Sequence, residues 1–324
     1  MVSTVKLGSG SFTYEVAVDW EKLPSGYSWR DAAGVAVDSM DRVYVFNRGS
    51  GERPVIVFDR DGNFLDSWGD GIFTNPHAIT LAPDDTLYLT DAGDHTVRQF
   101  TLDGKLLMTI GVPGEAAPLH GGKPFNKCTH VALHPKTGEL FISDGYGNSS
   151  VHKYSPDGKL LLSWGAPGTD PGEFNIPHNI ATDKDGYVYV ADRENYRVQI
   201  FDSNGKFETQ WVNLHRPCTL FISEDQHVYI GELGWGNNVS RDVPNIGPRI
   251  SVYNTNGKRV ARIGHLEYGL ETGQFLMPHG LCLNSRGDVY MGEVAHSHMI
   301  NLGKPPDGVR SFQKLARVES EREE

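Results

Sequence analysis

The sequence predicts an all-β chain folded as a single six-bladed propeller, and three observations carry that expectation. A four-strand pattern recurs six times along the 324 residues. The copies follow one another at about 40 to 50 residues, the period at which a four-stranded sheet makes one blade. Gly 37 and Pro 18 suit a chain that turns often, and no shift of composition marks a second domain within 1–324.

The second copy, 77–111, shows the layout: AITLA, TLYLTD, TVRQF and LLMTIG, with Asp-Asp and Asp-Gly turns between them. The first (34–69), third (130–165) and fourth (178–212) repeat it closely. The fifth (219–264) is looser, and the sixth (279–302) offers "GLCLNSRGDVYMGE" and "HMINL" but no fourth strand. The stretch "FTYEVAVDW" at 12–20 reads as a strand ahead of the first copy. One terminus is therefore expected to close the ring by lending a strand to the blade at the other end.

Lys+Arg 30 against Asp+Glu 41 gives a net charge of −11, without a run of five like charges. That balance argues against nucleic acid or an acidic membrane surface as partner and leaves a small molecule. Three cysteines without C-x-x-C spacing build neither a disulfide framework nor a cysteine metal knuckle. The opening residues lack a continuous apolar segment, and no stretch nears the roughly 18 apolar residues a membrane helix requires. A cytoplasmic protein is the expectation.

Aligning the copies on their first strand puts Ala33, His77, Thr129, His178, Cys218 and His279 in one column at its entrance. The three histidines each follow a proline, in "NPHAI", "IPHNI" and "MPHGL", and fall on alternate copies. In a six-fold ring such positions form a triangle about the axis at one height. Three converging imidazoles with an open fourth position make a catalytic zinc site, and imidazole also suits copper, iron or nickel. The competing expectation is a turn habit of the repeat, each histidine bonding locally. Cys218, between two histidine-bearing copies, is expected to be a buried filler. His95, His120, His296 and His298 could approach the same rim, "AHSHM" being expected as a solvated loop, and His130 could line the channel.

A second column follows the second strand. Asp91, Asp144, Asp192, Glu232 and Glu293 recur there, as expected of structural acceptors for loop amides. Arg48, Tyr146 and Arg193 stand in the same loops without recurring, which marks them as functional candidates. Guanidiniums near a metal hold a carboxylate or stabilise an oxyanion, and a tyrosine between a cation and a metal can serve as a base. No phosphate-binding glycine loop and no G-x-S-x-G elbow is present.

The repeat resembles the NHL repeat, most closely in "VADRENYRVQIFDSNGKF" at 190–207. Together "VFNRG", "PHAI", "SDGYGNS", "FNIPHNIATD" and "MPHG" resemble the catalytic core of the peptidyl-α-hydroxyglycine α-amidating lyases. The resemblance implies a zinc ion held by His77, His178 and His279, with Tyr146 as base and Arg48 as its cationic partner. It also implies a substrate-binding Arg193 and a Met277 near the metal. The family's acidic residue after the last histidine, which helps hold a calcium ion on the axis, is here Gly280. The other copies carry Gly34, Ala78, His130, Asn179 and Thr219 at that place, leaving backbone carbonyls as ligands for any calcium. The family's disulfides are unsupported, "GYGNS" having glycine in place of a cysteine, and no monooxygenase partner domain is seen. A peptide hormone precursor is therefore not the expected substrate.

The expected function is a metal-dependent lyase that cleaves the C–N bond of a small α-hydroxy-amide. The alternatives are an ester or lactone hydrolase or a hydratase using the same parts, and a non-enzymatic propeller that binds a protein.

Overall fold

The computed structural model describes residues 5–49, 53–236, 238–241 and 243–318. After a short hairpin, β1 (Lys6–Ser9) and β2 (Phe12–Ala17), five complete blades follow in order. Blade 1 is β3 (Asp31–Val37), β4 (Val43–Arg48), β5 (Val55–Phe58) and β6 (Phe64–Trp68). Blade 2 is β7 (Pro76–Leu81), β8 (Thr86–Asp91), β9 (Thr96–Thr101) and β10 (Leu106–Ile110). Blade 3 is β11 (His130–Leu133), β12 (Leu140–Asp144), β13 (Ser150–Tyr154) and β14 (Leu160–Trp164). Blade 4 is β15 (Pro177–Thr182), β16 (Val188–Asp192), β17 (Arg197–Phe201) and β18 (Phe207–Trp211). Blade 5 is β19 (Pro217–Ile222), β20 (His227–Glu232), β21 (Arg249–Asn254) and β22 (Arg259–Ile263).

Blade 6 is assembled from both ends of the chain. β23 (Pro278–Leu283) and β24 (Val289–Glu293) pair with β25 (Phe312–Arg317), and β2 pairs with β25 through Tyr14 and Arg317, giving the order β1-β2-β25-β24-β23. The expected loan of the N-terminal strand is what closes the ring. The expected strand at "HMINL" is not there: Ala295–Asn301 forms helix α1, burying Ala295 and His298, and β25 is the third strand instead. The i, i+3 spacing of those two buried residues is a helical period, which alternation-based reading of "HMINL" passed over. His298 thus belongs to a packed helix rather than to a solvated loop.

Burial explains why the strands read as they do. Second and third strands are enclosed between neighbouring blades: in Val188–Asp192 and Arg197–Phe201 every residue is buried, and the polar ones, Arg197 and Gln199, bond to Asp192. Fourth strands face solvent on one side and keep an alternating pattern, as in Leu160–Trp164. The hairpins joining third and fourth strands turn on Gly62, Gly104, Gly158, Gly205 and Gly257, at φ of +81, +86, +81, +78 and +78°. At Gly205 the missing side chain also makes room: a Cβ there would lie 2.7 Å from the Trp164 indole of the preceding blade.

Apolar clusters fill the spaces between adjacent blades. At the seam between blades 6 and 1 the packing is aromatic, with Trp20, Phe58, Tyr290 and Phe312 buried together. Each such side chain contributes about 1.5–3 kcal/mol by burial, so the seam is held by packing as well as by strand pairing. Among the described residues no helix is long and apolar enough to cross a membrane.

Candidate metal centre

The loops that deliver the histidines are clamped from below by the recurring acids. Asp91 accepts hydrogen bonds from the amides of Thr74 (2.6 Å) and Asn75 (2.8 Å), just before His77. Asp192 accepts from Asn175 (2.7 Å), just before His178, and Glu293 from Leu276 (2.6 Å) and Met277 (2.9 Å), just before His279. Asp144 and Glu232 hold Asn126 and His215 in the same way. A repeated carboxylate therefore sets the height at which five of the six first strands begin, as the sequence led us to expect, and in blade 1 Asn47 accepts from the Arg30 amide instead.

A bulge then aims the side chain. In β7, β15 and β23 the pairing register slips between Pro76 and Ala78, Pro177 and Asn179, and Pro278 and Gly280, so each histidine is the extra residue. Proline tolerates the strand's first position because no ladder bond is asked of its nitrogen, and the bulge turns the next side chain toward the axis.

The three rings meet there. Centroids of His77 and His279 are 4.7 Å apart, and those of His77 and His178 and of His178 and His279 are each 4.9 Å apart, a nearly equilateral triangle. One ring nitrogen from each lies within 4.8 Å of the others. The remaining nitrogens are fixed by one repeated contact: Nδ1 of His77 to the Thr129 carbonyl (2.6 Å), of His178 to the Cys218 carbonyl (2.7 Å), and of His279 to the Ala33 carbonyl (2.6 Å). The histidines come from blades 2, 4 and 6, and the carbonyls from the equivalent positions of blades 3, 5 and 1.

A carbonyl only accepts, so each Nδ1 carries the proton and each Nε2 turns a lone pair to the centre. Burial and the neighbouring imidazoles and guanidiniums hold all three histidines well below the ordinary imidazole value, which keeps them neutral. The Tyr146 hydroxyl lies 3.1 Å from Nε2 of His77 and 2.8 Å from Nε2 of His178, while Nε2 of His279 is buried without a partner. One hydroxyl proton cannot satisfy three converging lone pairs. A cation can, and the donor set suits a transition metal with an open position.

Two arginines stand near the triangle. Arg48 donates from Nε to the Pro76 carbonyl (2.6 Å), next to His77, and its charge is felt by His77 and His279. Arg193 places its guanidinium 5.6 Å from the centre of the Tyr146 ring. The described cation–ring contact to Tyr146 is made by Arg193, while the resemblance implied Arg48 as the partner of the base. Met277 is held through its main chain to Glu293 and Val294, and its side chain has no described contact with the triad.

Below the triangle the axis is narrow. A void of about 20 Å³ is bounded by His77, His279, His130, Asn179, Thr219, Gly34 and Gly280. Adding a Cβ at Gly280 would bring it to 2.7 Å from the Gly34 Cα, so β3 and β23 leave no space for an acidic side chain. His130 donates from Nδ1 to the Ile180 carbonyl (3.1 Å), and the Asn179 side-chain oxygen accepts from the Leu220 amide. With no carboxylate on this ring, the residues present do not fit an axial calcium. Farther down, the channel opens on the opposite face as a cavity of about 770 Å³ whose walls include Val35, Ile79 and Leu281, with His130 at its inner end.

Sequence reasoning missed the carbonyl partners, since any residue type supplies a carbonyl. It also missed Glu194 and Arg216, a buried charge cluster behind Arg193. Glu194 carried a signal in being, like Arg193, a non-recurring residue of its loop. His95, by contrast, serves structure, accepting from the Lys127 amide (2.9 Å).

The architecture and the histidine triangle place the chain in a class: six-bladed NHL-type propellers with three alternate-blade histidines positioned to bind a metal. A model of the NHL repeat family matches residues 174–201. The chain is 35% identical over 243 residues to human NHL repeat-containing protein 3, covering 70% of this chain and 68% of that one. It is 30% identical over 275 residues to a probable peptidyl-alpha-hydroxyglycine alpha-amidating lyase of Caenorhabditis elegans, covering 79% and 73%. The chain belongs to the NHL-repeat family that contains these proteins. It spans 62% of mouse NHL repeat-containing protein 3 and 33% of a Xenopus laevis peptidyl-glycine alpha-amidating monooxygenase. Among solved structures, a streptogramin B lyase superposes with a TM-score of 0.59 at 11% identity, over 90% of this chain and 96% of that one. A gluconolactonase of Xanthomonas campestris superposes with a TM-score of 0.59 at 12% identity, over 90% and 88%. At these identities the two structures speak for the fold.

Proposed function

We propose that the protein is a metal-dependent lyase acting on a small N-acyl-α-hydroxyglycine or a close relative. The observation that carries this reading is the Tyr146 hydroxyl set against the Nε2 atoms of His77 and His178, in a triangle whose third Nε2, on His279, is orphaned. Family members named as amidating lyases support it.

His77, His178 and His279 would hold zinc or a similar ion, which when bound supplies a Lewis acid at the open position. Tyr146 removes the proton of the substrate hydroxyl. The oxygen's electron pair then forms the carbonyl as the C–N bond breaks, and the departing amide nitrogen takes up a proton. An amide and a glyoxylate-type oxo-acid result, with atoms and charge in balance. Arg193, against Tyr146, stabilises the phenolate and the developing negative charge. Arg48, beside His77, is placed to take the substrate carboxylate. This reading exchanges the parts that the resemblance implies for the two arginines.

The same fold carries a protein named as a gluconolactonase, and a base beside a metal can equally activate water. Zinc-loaded protein should convert N-acetyl-α-hydroxyglycine to acetamide and glyoxylate, both followed by chromatography. Turnover of lactones or esters with none of hydroxyglycines would replace the lyase reading by the hydrolase. Purified protein without a stoichiometric metal, and unaffected by His178→Ala, would leave a protein-binding propeller.

A further inference from the structure

We infer that Glu194, buttressed by Arg216, is a positioning residue that fixes the guanidinium of Arg193 against Tyr146. This rests on the lyase reading for the step it serves, while the geometry behind it stands by itself.

Arg193, Glu194 and Asn195 form a single 3-10 turn after β16. Its backbone is tied to the segment that delivers His178: the Arg193 amide donates to the Ile176 carbonyl (3.1 Å) and the Glu194 amide to the Asn175 carbonyl (3.1 Å). Glu194 is therefore held against the segment that delivers a histidine of the triangle. Its Oε1 accepts from Nε of Arg193 at 2.8 Å and from Nη2 of Arg216 at 2.8 Å, and its Oε2 from Nε of Arg216 at 3.0 Å. Arg216 completes the brace by donating from Nη1 to the Trp235 carbonyl (3.3 Å).

The three side chains are mostly enclosed, 12%, 24% and 17% exposed for Arg193, Glu194 and Arg216. One carboxylate between two guanidiniums is their common counter-ion, and the guanidiniums hold it below the ordinary carboxylate value despite burial. Gripping Arg193 at Nε leaves the terminal nitrogens uncommitted to Glu194, with the guanidinium 5.6 Å from the centre of the Tyr146 ring. A guanidinium has a fixed fork, so fixing one corner fixes the direction of the rest. Without Glu194, two neighbouring like charges would push Arg193 off the tyrosine.

Three variants of the full chain, Glu194→Ala, Glu194→Asp and Glu194→Gln, test this with zinc-loaded protein and N-acetyl-α-hydroxyglycine. The expected result for Glu194→Ala is a fall in kcat of about 10²-fold, the scale of a misplaced catalytic group, with KM and zinc content close to the parent and a lower Tm from the two guanidiniums left without their counter-ion. Glu194→Asp should recover most of it, and Glu194→Gln, which keeps the acceptor but not the charge, should fall between. The second readout is independent of turnover: the Nε–Hε correlation of Arg193 in NMR, assigned with Arg193→Lys. It should be slow to exchange in the parent and in Glu194→Asp, and lost in Glu194→Ala. An unchanged Arg193 signal or an unchanged kcat in Glu194→Ala overturns the inference. A kcat loss matched by a fall in zinc content, without rescue by aspartate, also overturns it. If the parent turns over no hydroxyglycine while the Arg193 signal still depends on Glu194, the lyase reading fails and the positioning role stands.

Discussion

The Tyr146 hydroxyl lies 2.8 Å from Nε2 of His178, a nitrogen whose ring partner Nδ1 is committed to the Cys218 carbonyl at 2.7 Å. The proposed base and a histidine positioned to bind a metal thus meet at one point although they come from different blades. Tyr146→Phe should leave metal content unchanged and lower kcat by about 10²–10⁴-fold, the usual weight of a general base. Metal analysis beside steady-state kinetics checks both halves of the statement.

Each histidine supplies one lone pair to the triangle, and among the described residues no other histidine, cysteine or carboxylate joins the group. His77→Ala, His178→Ala and His279→Ala are each expected to abolish stoichiometric metal binding, read by elemental analysis after dialysis against trace metal. Excess metal should raise the Tm of the parent but not of the variants, because only a folded site binds it.

The acid clamps should matter for both stability and metal. Asp192 receives the Asn175 amide, the Asn195 and Gln199 amide groups and the Arg197 guanidinium, and Arg197 is buried. Asp192→Ala strands that cation, at a cost of about 3–5 kcal/mol. It also frees the loop ahead of His178, so metal affinity should drop about 10–100-fold, as for other outer-sphere supports. Urea denaturation and metal titration measure the two effects.

Burial pushes the His130 imidazole down to about 4 from 6.5. A base lowered in the folded state is protonated first in the unfolded chain. Its contribution is therefore intact above the ordinary value and is lost as pH falls from 6.5 toward 4. The loss amounts to at most about 3 kcal/mol. Chemical denaturation of the parent should show this decline, and His130→Asn should flatten it.

Gly280 is where the chain parts from the pattern that the lyase resemblance implied. Restoring an acid by Gly280→Asp would press a Cβ to 2.7 Å from the Gly34 Cα. The expected outcome is a loss of about 1–3 kcal/mol from overpacking, without calcium-dependent recovery of Tm. Thermal unfolding with and without calcium decides it.

Much of this protein was legible in its sequence because a repeat states the same local requirement six times. Alternating and apolar runs named the strands, Asp-Gly and Asn-Gly turns named the hairpins, and the column His77, His178, His279 named the triangle. Those signals are local or periodic, and ring symmetry turns equal spacing in the chain into equal angles in space. Other features depended on contacts between distant segments. The pairing of β25 with both β24 and β2, the carbonyls of Ala33, Thr129 and Cys218, and the close approach of Gly34 to Gly280 have no residue signature of their own. Which arginine faces Tyr146 is of the same kind. Arg48 and Arg193 are alike as residues, and only the reach of one side chain to Pro76 and the grip of Glu194 on the other distinguish them. Periodicity carried the architecture and the ligands. Packing between blades decided their tautomers, their neighbours and the space left around them, because those properties belong to pairs of atoms far apart in the chain.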